Sequence, residues 1–135
     1  MKNIFLILIF FNTLIAENIN GINFKKLNVD KDIENLKNLC ALRVTGACKK
    51  LAVAYEKGTK IIQKDLNKFI FYVDEMCNQR DYKACELSAY LYLIGYEDIK
   101  KDQSKAYKKF KVACENANFD KSCFWVAQYE ILGLN

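Results

Sequence analysis

DLNKFIFYVDEMCNQRDYKACELSAYLYLI, residues 65–94, is an apolar segment ending at Cys77, a short polar turn, Cys85 and a second apolar segment. Versions of this unit lie on both sides of it. Cys40, Cys77 and Cys114 recur every 37 residues, and Cys48, Cys85 and Cys123 follow at intervals of 37 and 38. A period in that range marks a repeat array. Counted from the second cysteine of each pair, an alanine stands four residues on (Ala52, Ala89, Ala127) and a glycine ten on (Gly58, Gly95, Gly133), so the register holds without gaps.

Each unit reads as two helices. Seven residues before the first cysteine stand Ile33, Ile70 and Tyr107; four before stand Leu36, Val73 and Phe110; one before stand Leu39, Met76 and Ala113. Offsets of three and four place these side chains on one helix face together with the cysteine. Asn28, Asp65 and Asp102, twelve residues before those cysteines, are residue types whose side chains accept from the first free amides of a helix. The segments 49–57, 86–94 and 124–132 keep the helical period and are richer in apolar residues. Small Ala52, Ala89 and Ala127 would let a neighbouring helix approach closely, and Gly58 and Gly95 suit helix stops. There is no proline, and no alternating pattern that would signal strands. The pattern predicts six helices, over about 29–41, 46–57, 65–78, 82–94, 102–115 and 120–132.

The chain opens with Lys2 and an apolar run from Ile4 to Ala16, broken only by Asn12 and Thr13. This reads as a secretory signal peptide over 1–16, since Glu17 and Asn18 end the run before the roughly 20 residues that a membrane span needs. Residues 17–27 have no sustained period and read as a lead-in to a repeat domain over 28–135. Cleavage after Ala16 would leave 20 basic and 16 acidic residues, a formal charge of +4. That mild excess is no nucleic-acid footprint and suits solvated helix faces. In an exported chain, six cysteines are expected to be oxidised. Fifteen pairings are open to them; the repeated spacing makes Cys40–Cys48, Cys77–Cys85 and Cys114–Cys123 the simplest. Zinc is the rival reading, but its sites favour shorter gaps and usually recruit histidine, which the chain lacks, so neither metal nor cofactor is expected.

The register Ala47-Cys48, Leu51-Ala52, Tyr55, Gly58, Lys68 and Cys77, repeated as Ala84-Cys85, Ala89, Tyr92, Gly95, Lys105-Ala106 and Ala113-Cys114, resembles the Sel1-like repeat. With cysteines at those two places it is similar to the Helicobacter cysteine-rich protein family, also called the hcp β-lactamase family. The resemblance covers about residues 28–135 and implies a short right-handed α/α solenoid of tetratricopeptide-like repeats, with each cysteine pair bridging adjacent antiparallel helices. The chain departs from the family pattern where Ala52, Ala89 and Ala127 replace glycine, where a second turn glycine is missing near Lys60 and Glu97, and where Glu130 stands in place of Tyr55 and Tyr92.

The same resemblance implies β-lactam binding or hydrolysis, with β-lactams or peptidoglycan fragments as ligands. The residues do not supply the chemistry. There is no Ser-x-x-Lys motif and no histidine; Ser88 and Ser122 read as buried or capping hydroxyls, and the pairs Asp74-Glu75 and Glu97-Asp98 as surface carboxylates. No catalytic residue is therefore assigned. The expected function is a periplasmic or secreted scaffold that binds an envelope or extracellular protein, a peptide or a glycan. In the tetratricopeptide-like register its concave face would carry Lys49, Val53 and Glu56, then Glu86, Tyr90 and Leu93, then Phe124, Gln128 and Ile131, with Tyr90 and Phe124 as anchors. The abundant aromatics are otherwise expected in the core. An array ending at Asn135 would also leave apolar surface on its last helix, open to self-association.

Overall fold

The computed structural model describes residues 23–134; the segment read as a signal peptide lies outside the described residues. A single turn of 3₁₀ helix, Phe24–Lys26, is followed by α1 (Ile33–Ala41), α2 (Thr45–Lys57), α3 (Leu66–Asn78), α4 (Tyr82–Ile94), α5 (Gln103–Ala117) and α6 (Asp120–Ile131). The described residues form no strand, only an isolated bridge between Tyr96 and Ile99. Each helix packs on its sequence neighbours, most extensively α4 on α5 and α2 on α3. The result is an all-α solenoid.

The buried rows are those that the period predicts. Leu36, Val73 and Phe110, four residues before the first cysteines, are all buried, and so are Leu51, Ala52, Ala89, Tyr55 and Tyr92. Burying a Leu or Phe side chain contributes about 1.5–3 kcal/mol each, so one repeated stripe per helix is enough to hold neighbours together. Contacts recur with the repeat as well. Lys68 lies 5.1 Å above the ring of Tyr55, and Lys105 lies 5.0 Å above that of Tyr92.

Three disulfides, Cys40–Cys48, Cys77–Cys85 and Cys114–Cys123, join the end of one helix to the start of the next, with Cα–Cα distances of 4.8, 4.6 and 4.8 Å. All six cysteine sulfurs are taken up in these bridges. The short connections inside each bridge turn on Arg43, Arg80 and Asn118, with φ of 68°, 73° and 50°. The two long connections begin on Gly58 and Gly95 at φ of 76° and 69°. A side chain at Gly95 would also come within 3.0 Å of Lys101 Cγ and 3.2 Å of the Ile99 carbonyl oxygen, so both backbone and space require glycine. Each loop then turns a single isoleucine, Ile62 or Ile99, into the core. Both loops are tied back alike, by the Asp65 amide donating to the Tyr55 carbonyl at 2.8 Å and the Asp102 amide to the Tyr92 carbonyl at 2.9 Å. Glu97 occupies a left-handed turn position (φ 47°) without glycine, and its carboxylate meets Lys64 at 2.8 Å.

Asp65 and Asp102 are N-caps, accepting from the amides of Lys68 and Lys105 at 3.0 and 2.9 Å. Asn28 is not. Its side chain accepts from Asp30 and Lys31 in a local turn, the Asn28 amide donates to Asp32 at 2.8 Å, and α1 starts at Ile33 rather than near residue 29. An Asx turn has captured the amides that a helix would have used. Two further expectations change. Ala127 is exposed, because no described helix packs on that side of α6, and Phe71 is 55% exposed rather than core.

Candidate functional site

A cleft of about 610 Å³ lies between residues 27–29 and α2. Its apolar part is Leu27 and Val29 on one side and Val53 and Ala54 on the other. Lys49, Lys50 and Lys57 line it as well. Lys50 is committed to holding the lead-in: its Nζ donates to the carbonyls of Lys25 and Leu27 at 2.9 and 2.7 Å. A further tie closes the far end, where the Thr59 hydroxyl donates to the Asp30 carboxylate. Lys49 and Lys57 are exposed and take part in no ion pair among the described residues.

The residues of the predicted face fall into three groups. Lys49 and Val53 line this cleft. Leu93 and Gln128 line a smaller one of about 150 Å³ beside Trp125 and Tyr129. Glu86 and Tyr90 are drawn into packing: the Ser122 hydroxyl donates to Glu86 at 3.2 Å, and the Tyr90 ring meets Phe110 edge-on at 5.0 Å. Glu56 is half-buried; Phe124 and Ile131 stand out from α6, 57% and 76% exposed.

A polar cluster joins α3, α4 and α5. Asp74 is not the surface carboxylate that its sequence context implies. It accepts from the buried Ser88 hydroxyl and, at 2.9 Å, from the Tyr92 hydroxyl, and it pairs with Lys109 at 3.1 Å. Side-chain exposure is only 22% for Asp74 and 18% for Lys109. Asp74 lies three residues before Cys77, on the flank of the apolar stripe, and that flank meets the two helices that follow. A sequence signal did exist: Ser88 and Tyr92, four apart on one face of α4, are two hydroxyls in need of a common acceptor.

Burial first, and then the hydrogen bond to Asp74, push the Tyr92 hydroxyl far above the ordinary tyrosine value of 10.0. Burial also raises Tyr72 and Tyr129. A raised folded pKa means that the neutral phenol is favoured by folding, so this contribution is complete below about pH 10 and is lost as pH rises beyond it. Absorbance titration should show these three of the eight tyrosines ionising above the ordinary tyrosine range, Tyr92 most clearly. Tyr92→Phe should flatten the fall in melting temperature above about pH 10; an unchanged slope would mean that Tyr92 ionises freely in the folded protein.

A scan of family models finds none that matches the chain, and a search of curated proteins finds no match. Among solved structures the chain is similar to Helicobacter pylori cysteine rich protein B, at 28% identity and a TM-score of 0.57, over 75% of this chain and 74% of that one. Helical repeats, three bridges in register and this neighbour agree. The chain has a Sel1-like repeat fold stapled by disulfides. In this Sel1-like repeat protein the hydroxyls that a β-lactamase would need as nucleophiles are poorly placed. Ser88 and Ser122 are 0% exposed and each donates to a carboxylate, while Ser104 is exposed at the start of α5. A serine β-lactamase is not the function that this geometry favours.

Proposed function

We propose that the protein is an exported interaction scaffold, periplasmic or secreted, whose disulfide-stapled helices present a fixed surface to a protein, peptide or glycan of the cell envelope or its surroundings. Three bridges suit an oxidising compartment, and no described helix is long and apolar enough to cross a membrane. The observation that carries the reading is the 610 Å³ cleft on α2, apolar within and lysine-bearing at its edge, the build of a binding site rather than of a reaction centre. Oxidised protein immobilised on a resin should retain a saturable, competable component of the producing cell's envelope, and reduced protein should not. Retention equal in both states would count against the scaffold. In parallel, a chromogenic β-lactam should turn over no faster with the protein than with an unfolded control. Turnover that survives repurification and is abolished by one substitution would replace this reading with catalysis.

A second reading rests on α6, where Phe124, Ile131 and Leu132 are each more than half exposed. Such a cluster is an association surface for a second copy. Sedimentation velocity should show a concentration-dependent dimer that Phe124→Ser with Ile131→Ser removes; a monomer at all concentrations would end this reading.

A further inference from the structure

The cleft on α2 has a geometry that selects its occupant. Lys49, Val53 and Lys57 are spaced four and four, so they share one face of the helix, with the apolar residue midway between two cations. Eight residues of helix rise by about 12 Å. An extended peptide covers about the same distance in four residues, at roughly 3.3 Å each, and its alternate side chains point to one side. In a five-residue stretch, residues one, three and five thus match the lysine, valine and lysine in both spacing and direction. Leu27 and Val29 supply the opposite apolar wall, and Lys50, spent on the lead-in carbonyls, keeps that wall in place.

We propose that this cleft binds an extended acidic peptide of the form acidic-x-apolar-x-acidic, the apolar side chain entering between Val53 and the lead-in and the two carboxylates meeting Lys49 and Lys57. The inference rests on the scaffold reading and names its partner class. Charge complementarity argues for a peptide of this kind over a neutral one. The spacing argues against a compact anion such as phosphate, which could not reach both lysines.

The test is titration of the oxidised protein with the peptide acetyl-Glu-Ala-Leu-Ala-Glu-amide, read by calorimetry. Replacing both glutamates by glutamine should weaken binding roughly tenfold, the product of two exposed charge contacts. So should Lys49→Gln with Lys57→Gln, whose side chains are exposed and whose melting temperature should match the wild type. Placing asparagine at the central position should abolish saturation, and raising the ionic strength should weaken the wild-type complex. Equal affinity for the glutamate and glutamine peptides would overturn the proposal. So would binding undiminished in the double lysine variant, or a uronic-acid oligosaccharide that binds through the two lysines when the peptide does not. An envelope partner captured equally well by the double variant would remove this cleft as its site and leave the scaffold reading standing.

Discussion

Reduction of the three disulfides is expected to unfold the protein at physiological temperature. Each bridge closes a loop of about nine residues, worth about 2.5 kcal/mol in the chain-entropy account. Three independent loops sum to about 7–8 kcal/mol, comparable with the entire stability of a typical small domain, about 5–15 kcal/mol. The described helices have little to offset the loss, because a solenoid buries its core only between neighbours and each of the six packs chiefly on those adjacent in sequence. Circular dichroism melts with and without reductant check the expectation, and peptide mapping of unreduced protein should recover the three linked pairs. The central bridge gives the sharper comparison. Cys85 is 0% exposed and Cys77 6%, so Cys77→Ser with Cys85→Ser removes loop closure and also places two hydroxyls in the core, whereas paired alanines remove closure without burying them. The serine pair should therefore melt below the alanine pair. Reduced protein that melts at the oxidised temperature would show that helix packing alone suffices.

Asp74→Ala should cost about 3–5 kcal/mol, the largest effect expected of a single substitution outside the cysteines, since it leaves a partly buried charge without its partner. Lys109 would lose its counter-ion, and Ser88, which is fully buried, and Tyr92 would lose their acceptor. Most of that cost belongs to the stranded groups, not to the net worth of the ion pair. Asp74→Leu combined with Lys109→Met should accordingly recover much of the stability lost by Asp74→Leu alone. Urea unfolding of the two single variants and the double variant forms the required cycle. Additive losses would show that the two side chains do not interact, and a loss below about 1 kcal/mol for Asp74→Ala would place the carboxylate in solvent.

Much of the architecture was legible because the cysteines carry the register. With Cys40, Cys77 and Cys114 aligned, the apolar stripes, the Asp65 and Asp102 caps and the Gly58 and Gly95 stops followed from local physics, and the six helices stand within a few residues of where they were expected. Pairing within each unit was the simplest of fifteen arrangements, and the structure has it. Asn28 misled because cap and Asx turn draw on the same side-chain acceptor, and the choice between them depends on where Asp32 lies.

The sequence reading put nine residues on one continuous face; in the structure Lys49 and Val53 line one cleft, Leu93 and Gln128 line another, and Glu86 and Tyr90 are engaged by α6 and α5. By itself, the sequence determined the repeat, the helices, which face of each is apolar and where the bridges could form, since all of these depend on residues a few positions apart. Only the tertiary structure decided that Asp74 would find Ser88, Tyr92 and Lys109, that Ala127 would lie open while Ala52 and Ala89 are covered, and that the lead-in would form the second wall of a cleft on α2. Helical periodicity says which side of a helix faces inward; which residue of another helix it meets there depends on how the two helices cross, which no local pattern encodes.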